Sequence, residues 1–194
     1  MDVIDGGDYL RELAASQTPA GLKLRERIGR GHLAPTDIVR KWLKKQILAE
    51  RKNGLIISGQ PRMINEAKLV LRWFKQKNDG RNLRVFFLRV SEKEVVRRME
   101  KRYVCRKCGK SYVLEGYKGI EKCQACGGRI CKRLEDSPLG IKNRLKYFNE
   151  QVVKTLAYFK KQGILTEING EQNPEKVHKD ILHEIEKLHE AKKE

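Results

Sequence analysis

The sequence predicts an α/β fold, a parallel sheet flanked by helices, interrupted by a small metal-binding insertion. Three observations predict it. Short apolar runs alternate with stretches whose apolar residues recur at helical spacing, the pattern of parallel strands joined by helical crossovers. Two C-x-x-C pairs sit close together in the second half of the chain. With 194 residues, the chain is long enough to bury a sizeable core without disulfides and fits one domain with an inserted module.

The elements follow in order. Asp2-Val-Ile-Asp5 fits a short strand. A helix over about 8–16 places Leu10, Leu13 and Ala14 on one face. Pro19 and Gly21 punctuate, and a second helix fits 20–30, stopped by Gly29 and Gly31. Pro35-Thr36-Asp37 opens a third over 36–52, where Ile38, Val39, Trp42, Leu43 and Ile47 read as core packing. Gly54–Ser58 is a buried strand, followed by a turn with Pro61 near the first helical position. The next helix turns Ala67, Val70, Leu71 and Phe74 inward and ends at Asn78-Asp79-Gly80. Val85–Val90 is the clearest strand, and Ser91 with Glu94 forms a capping-box pattern for a helix over 92–101. After the cysteine module, a long helix over 137–162 carries Ile141, Leu145, Phe148, Val152, Leu156 and Phe159, and Gly163 closes it. Ile164–Ile168 is another strand, and Pro174 starts a last helix with Val177, Ile181, Ile185 and Leu188 on one face. The Lys/Glu-rich stretch 186–194 reads as a frayed helix end.

A net charge of +18 suits an anionic partner: a nucleotide, a nucleic acid or an acidic surface. A solvated lysine-rich surface explains it equally well, because the basic residues form no block. No run of about 18 apolar residues occurs, so no transmembrane helix and no membrane partner are expected. The segment MDVIDGGDYLREL is acidic and lacks the apolar stretch of a secretory signal, which points to the cytoplasm.

Outside a secreted context, Cys105/Cys108 and Cys123/Cys126 read as a metal site before they read as disulfides. Two residues between cysteines let both thiolates face one ion while backbone N–H groups turn toward the sulfurs. Four thiolates close a tetrahedral shell with no open position for a catalytic water, so the expected ion is structural zinc. Iron is the other metal the same cage accepts. Cys131 reads as a small buried residue, not a ligand.

Several motifs then resemble one family. Ile4-Asp-Gly-Gly-Asp8-Tyr-Leu-Arg11 resembles an STGD motif followed by two hydrophobic residues and Arg. Gly31-His-Leu-Ala-Pro sits where a monophosphate-binding segment ends. Gly54–Arg62, GLIISGQPR, is similar to the signature GFILDGFPR. Val95–Tyr103 looks like the entry to a lid and Cys131–Arg144 like its exit. In this order, over nearly the whole chain, the set resembles the adenylate kinases of the zinc-lid type.

The resemblance implies a P-loop nucleoside monophosphate kinase-like sheet and reversible phosphoryl transfer from ATP to AMP, giving two ADP, with Mg²⁺. The implied partners are ATP and AMP or another nucleoside monophosphate, and the implied state is a monomer. The implied division is core and monophosphate-binding helices in 1–53, core in 54–102, zinc-binding lid in 103–136, and core helices with the last strand in 137–194. By motif match, Arg11 and Arg62 bind the monophosphate, Asp8 and Glu66 belong to the nucleotide-binding set, and Arg98, counted with the catalytic residues, and Arg102 meet the triphosphate. Arg133 and Arg144 bridge the transferring group. Glu135 and Asp136 match an acidic pair that holds lid arginines. Arginine suits the task because its planar fork pairs two phosphate oxygens.

Three departures from the family pattern stand out. No G-x-x-x-x-G-K-[ST] occurs in the chain; in the family that loop lies just before the point where this sequence begins, on a central strand. The expected sheet therefore lacks its N-terminal phosphate-loop strand. Ser58 stands for the Asp that holds the magnesium shell, and a hydroxyl is a poorer ligand for a hard dication. Glu66 stands for a Gln that reads adenine, and Gly6 for a Thr. The first two departures imply impaired phosphotransfer. Two other readings compete: a pseudokinase that binds nucleotide without chemistry, and a zinc-ribbon protein that binds nucleic acid through scattered Lys/Arg with Tyr103, Tyr112 and Tyr117.

Overall fold

The apolar tripeptide Leu55-Ile56-Ile57 is too short and too β-branched for a helix, and it forms the body of strand β2 (Leu55–Ser58). Its partner is β1 (Asp2–Asp5), and the two run parallel. Parallel strands need a long crossover. Here it is built from α1 (Gly6–Ala15), α2 (Pro19–Gly29) and α3 (Thr36–Leu48). The computed structural model describes residues 1–51, 54–77, 83–113 and 122–190. The Asn78-Asp79-Gly80 stop, Tyr117 and the last four residues of the tail lie outside them.

A second parallel pair joins β3 (Val85–Arg89) to β7 (Leu165–Asn169). Among the described residues β2 and β3 are not paired, so the parallel strands form two two-stranded sheets. Helices tie the halves together. The helix α4 (Ile64–Gln76) packs on α3 and also on α7 (Val153–Lys161). The buried Thr155 hydroxyl donates to the Arg62 carbonyl at 3.2 Å across that contact.

Between α5 (Glu92–Glu100) and α6 (Pro138–Tyr147) the chain makes a three-stranded antiparallel sheet from β4 (Arg102–Cys105), β5 (Ser111–Val113) and β6 (Ile130–Lys132), with β4 central. The last helix, α8 (Pro174–Glu190), packs on β7. No helix among the described residues is long and apolar enough to cross a membrane.

The main core lies between α3 and α4. Val39, Trp42, Leu43 and Ile47 meet Val70 and Trp73 there, and Tyr9 stacks on Trp42 with ring centroids 5.1 Å apart. The inward residue of α4 is Trp73, where the sequence pattern favours Leu71; Leu71 is only half-buried. Either lies near the Ala67–Val70 stripe, and packing against α3 selects the larger ring.

Three local expectations are corrected. Ser91 makes no side-chain cap; its own N–H donates to Glu171 at 2.8 Å, because Glu94 is taken by Arg97 and Arg98. A capping interaction appears instead on α4, where the Glu66 carboxylate accepts from the N–H groups of Arg62 and Met63 at 3.1 and 3.2 Å. Pro61 does not open that helix, which starts three residues later at Ile64. The single helix expected over 137–162 is two α-helices joined by a π-helical turn, Phe148–Val152.

One glycine sets the mouth of the cleft described below. Gly31 has φ +77°, and a Cβ there would stand 2.3 Å from the Gly140 carbonyl oxygen. The turn after α2 can therefore lie directly on the start of α6. Asn143 Nδ2 donates to the Arg30 carbonyl at 2.8 Å, and His32 Nδ1 pairs with the Tyr147 hydroxyl at 3.0 Å.

Leu43 is fully buried in the α3–α4 core. Leu43→Ala is expected to lower stability by about 2–5 kcal/mol, from lost burial plus the cavity left behind. Urea denaturation monitored by tryptophan fluorescence measures it.

Candidate functional site

The cleft gathers side chains from many separate elements and the turns between them. The carboxyl ends of β1 and β2 supply Asp5, Ser58 and the turn Gly59–Arg62. From α1 comes Arg11, from α4 Glu66, from the start of β4 Arg102, and from the turn after β6 Arg133 and Glu135; α6 supplies Arg144. Crevices beyond the carboxyl ends of parallel strands are where such folds take ligands. The cleft encloses about 300 Å³.

Five guanidinium groups line it: Arg11, Arg62, Arg102, Arg133 and Arg144. Such crowding needs counter-charge. Asp136, its side chain wholly buried, accepts from Arg102 at 2.7 and 2.5 Å and from Arg144 at 3.0 Å. Burial and the neighbouring Arg102 nevertheless push Arg144 down to about 10, with Asp136 opposing them. Arg133 and Arg62 are also lowered, first by burial. All remain cations at neutral pH, under a positive field that an anion would relieve. Arg133 Nη2 donates to Ser111 at 2.9 Å, while its buried Nε has no hydrogen-bond partner among the described residues. An unpaired buried donor among like charges suits an anionic oxygen.

Two of the expected site residues stand apart. Asp8 is not part of the cleft lining; its carboxylate accepts from Arg11 and its side chain is largely exposed. Arg98 lies on α5 against Glu94 at 2.7 Å, also outside the lining. Glu135 lies 3.8 Å from Arg11. The cleft also has residues that sequence reading did not single out as site residues. Gln60 is one, with its buried Oε1 unpaired; His32 is another; Asp5 is the third. Asp5 had one visible signal, its place in the STGD-like motif.

Glu66 is 2% exposed at one wall. Burial raises its pKa, opposed by the Arg62 and Met63 N–H groups and by the charges of Arg62 and Arg40.

The second centre is the cysteine cage. Cys105 and Cys126 sulfurs lie 3.5 Å apart, as do those of Cys108 and Cys123. All four lie within 4.8 Å of one another, close enough to hold one metal ion. A tetrahedral four-thiolate shell with bonds of about 2.3 Å has edges of about 3.8 Å, so the cage fits. The Lys107 N–H donates to Cys105 at 3.3 Å and the Tyr112 hydroxyl lies 3.1 Å from Cys123. That hydroxyl is the main cause that brings Cys123 down to about 6. Cys126 goes the other way: the Gly128 N–H favours its thiolate, but Cys108, burial and Cys105 outweigh that and push it up to about 12. Thiols this close cannot all ionise without a cation among them. Cys131 stays outside the cage, half-buried on β6, and accepts from Arg106 Nε at 3.2 Å.

Comparison with known proteins gives a consistent result. The family model described as adenylate kinase matches residues 1–164. An adenylate kinase of Lactobacillus johnsonii is 34% identical over 182 residues, covering 92% of this chain and 83% of that protein. One of Methanocella arvoryzae is 33% identical over 191 residues, covering 95% and 87%. One of Thermosipho africanus is 32% identical over 185 residues, covering 94% and 86%.

Asp136→Asn keeps the shape and removes the charge between two arginines. It is expected to cost about 2–3 kcal/mol, less than a fully buried pair because both arginines are partly exposed. Guanidinium chloride unfolding measures it; a loss below about 0.5 kcal/mol would mean the arginines do not depend on Asp136.

Proposed function

The chain belongs to the adenylate kinase family, and on that footing we propose that its arginine cleft carries out reversible phosphoryl transfer from ATP to AMP, giving two ADP. The observation that supports this reading is the convergence of Arg11, Arg62, Arg102, Arg133 and Arg144, from four stretches of chain, on one crevice. Phosphoryl transfer needs little covalent help from a protein. It needs positioning, and neutralisation of charge on the phosphate oxygens.

In this reading Arg11 and Arg62 bind the monophosphate, with Asp8 steadying Arg11. Arg102 meets the triphosphate, and Arg98 joins it if α5 and the antiparallel sheet close over the cleft. Arg133 and Arg144 bridge the transferring group, Arg133 through the Nε that has no protein partner. Glu66 faces the base of the monophosphate. It accepts but does not donate, unlike an amide, so a base edge rich in donors suits it. Magnesium bound with the nucleotide supplies further neutralisation of phosphate charge. The cysteine cage holds zinc, which pins the antiparallel sheet, the lid of this reading, and takes no part in the chemistry. The protein works as a cytoplasmic monomer.

Thermal shift with AMP, ATP and a bisubstrate dinucleotide tests the binding half. The dinucleotide is expected to stabilise most, because it engages all five arginines at once. Arg62→Ala and Arg144→Ala are expected to remove most of that shift. No shift with any of the three would end this reading. An ADP-forming assay tests the chemistry: turnover in the range of about 1–10³ s⁻¹ is that of an ordinary enzyme.

The zinc reading has its own test. Elemental analysis should find about one zinc per chain. Cys123→Ser should lower both the metal content and the melting temperature, because binding energy in such cages is folding energy. A metal-free preparation with unchanged melting would remove zinc from the account.

A further inference from the structure

Two motifs of this chain depart from their family patterns at positions that the sheet places side by side. Where the STGD pattern has Ser, this chain has Asp5; where GFILDGFPR has Asp, it has Ser58. The parallel register pairs Asp5 directly with Ser58 at the carboxyl ends of β1 and β2. The Ser58 hydroxyl donates to Asp5 Oδ2 at 2.7 Å. One carboxylate and one hydroxyl are thus kept at the same two neighbouring positions, on exchanged strands. Both residues line the arginine cleft.

We propose that Asp5 is the carboxylate that takes the water shell of the magnesium ion accompanying the nucleoside triphosphate, in the place the family gives to the residue at Ser58. This rests on the nucleotide reading above. Ser58 alone is a weak partner for a hard dication, but the Asp5–Ser58 pair is an all-oxygen donor set, which suits magnesium. Magnesium keeps several of its waters, so an outer-sphere carboxylate is enough.

The other contacts of Asp5 leave it this role. Oδ1 accepts from the Asp8 N–H at 2.8 Å, which caps α1, and lies 3.9 Å from Arg11 Nη2. Oδ2 takes the Ser58 hydroxyl. Each oxygen has a second lone-pair direction for a metal-bound water. Capping does not explain the charge, because Ser or Asn caps a helix as well as Asp. Nor does the cleft want an extra carboxylate for its own sake: it repels phosphate unless a cation lies between them. Burial pushes the Asp5 pKa up, but the Ser58 hydroxyl, the Asp8 N–H and Arg11 outweigh it and hold it below the ordinary value. Asp5 is therefore ionised at neutral pH.

Calorimetric titration of the full chain tests this with ATP in magnesium-free buffer and with Mg·ATP. No chelator is used, so the cysteine cage keeps its metal. The wild-type chain is expected to bind Mg·ATP more tightly than free ATP. Asp5→Asn keeps the cap and removes the charge, and is expected to reduce that preference at least about tenfold, the change one charge-assisted hydrogen bond carries. Its affinity for metal-free ATP should be equal or higher. The exchange Asp5→Ser with Ser58→Asp should restore the preference. Electron paramagnetic resonance of Mn²⁺ with ATP gives a second readout: the protein-bound signal should weaken in Asp5→Asn and return in the exchange variant. An unchanged metal preference in Asp5→Asn overturns the proposal while leaving the nucleotide reading standing. Binding of neither form of ATP overturns both. If Asp5→Asn does not fold, the exchange variant decides: a metal preference equal to the wild type supports the proposal, and its loss overturns it.

Discussion

Five guanidinium groups cannot share a small crevice unless something holds them against their mutual repulsion. In this chain much of that work falls to Asp136, whose buried side chain accepts from Arg102 and Arg144 together. The carboxylate sits in a 3₁₀ turn, Leu134–Asp136, immediately before α6. It therefore locks the root of the antiparallel sheet, through Arg102, to the helix that carries Arg144. Burial first, and the neighbouring Arg102 second, hold Arg144 and Arg133 below the ordinary arginine value. A crevice lined by five guanidinium groups suits an anionic ligand.

The acidic groups in the crevice divide the work by their surroundings. Glu66 is tied to backbone N–H groups at the start of α4, and burial raises its pKa. Glu135 lies toward Arg11. Asp5 takes a neutral hydroxyl and a backbone N–H at 2.7 and 2.8 Å, with Arg11 3.9 Å away. Three carboxylates of similar chemistry thus differ in what they can offer a ligand, and geometry alone separates them.

Much of the fold was legible because it is encoded locally. Short apolar runs mark β2 and β3, helical spacing marks α3, α4 and α8, and both cysteine pairs are plain from C-x-x-C spacing. The misreadings have physical causes. Ser91 and Glu94 have the letters of a capping box, but two arginines one turn on compete for the carboxylate, and Glu171, distant in sequence, takes the backbone N–H. The π-helical turn at Phe148–Val152 interrupts a pattern that reads as one continuous helix, because an inserted residue shifts the face without breaking the periodicity visibly. Asp5 does not stand out in the sequence because its partner, Ser58, lies on the neighbouring strand. The arginines were found through their motifs, and Arg98 and Asp8 show the cost: motif position brought them into the set, while the described cleft leaves both outside its lining.

The sequence by itself determined most of the strands and helices, the two paired cysteine motifs, and the motifs that carry the five arginines of the cleft. Those depend on spacing along the chain and on backbone preference, which neighbouring residues fix. Tertiary structure alone decided that Asp136 serves two arginines, that Asp5 stands against Ser58, and that Arg133 keeps an unpaired N–H inside the cleft. Those facts join residues far apart in the chain, and their energies depend on burial and on distances of about 3 Å, which no one-dimensional pattern records.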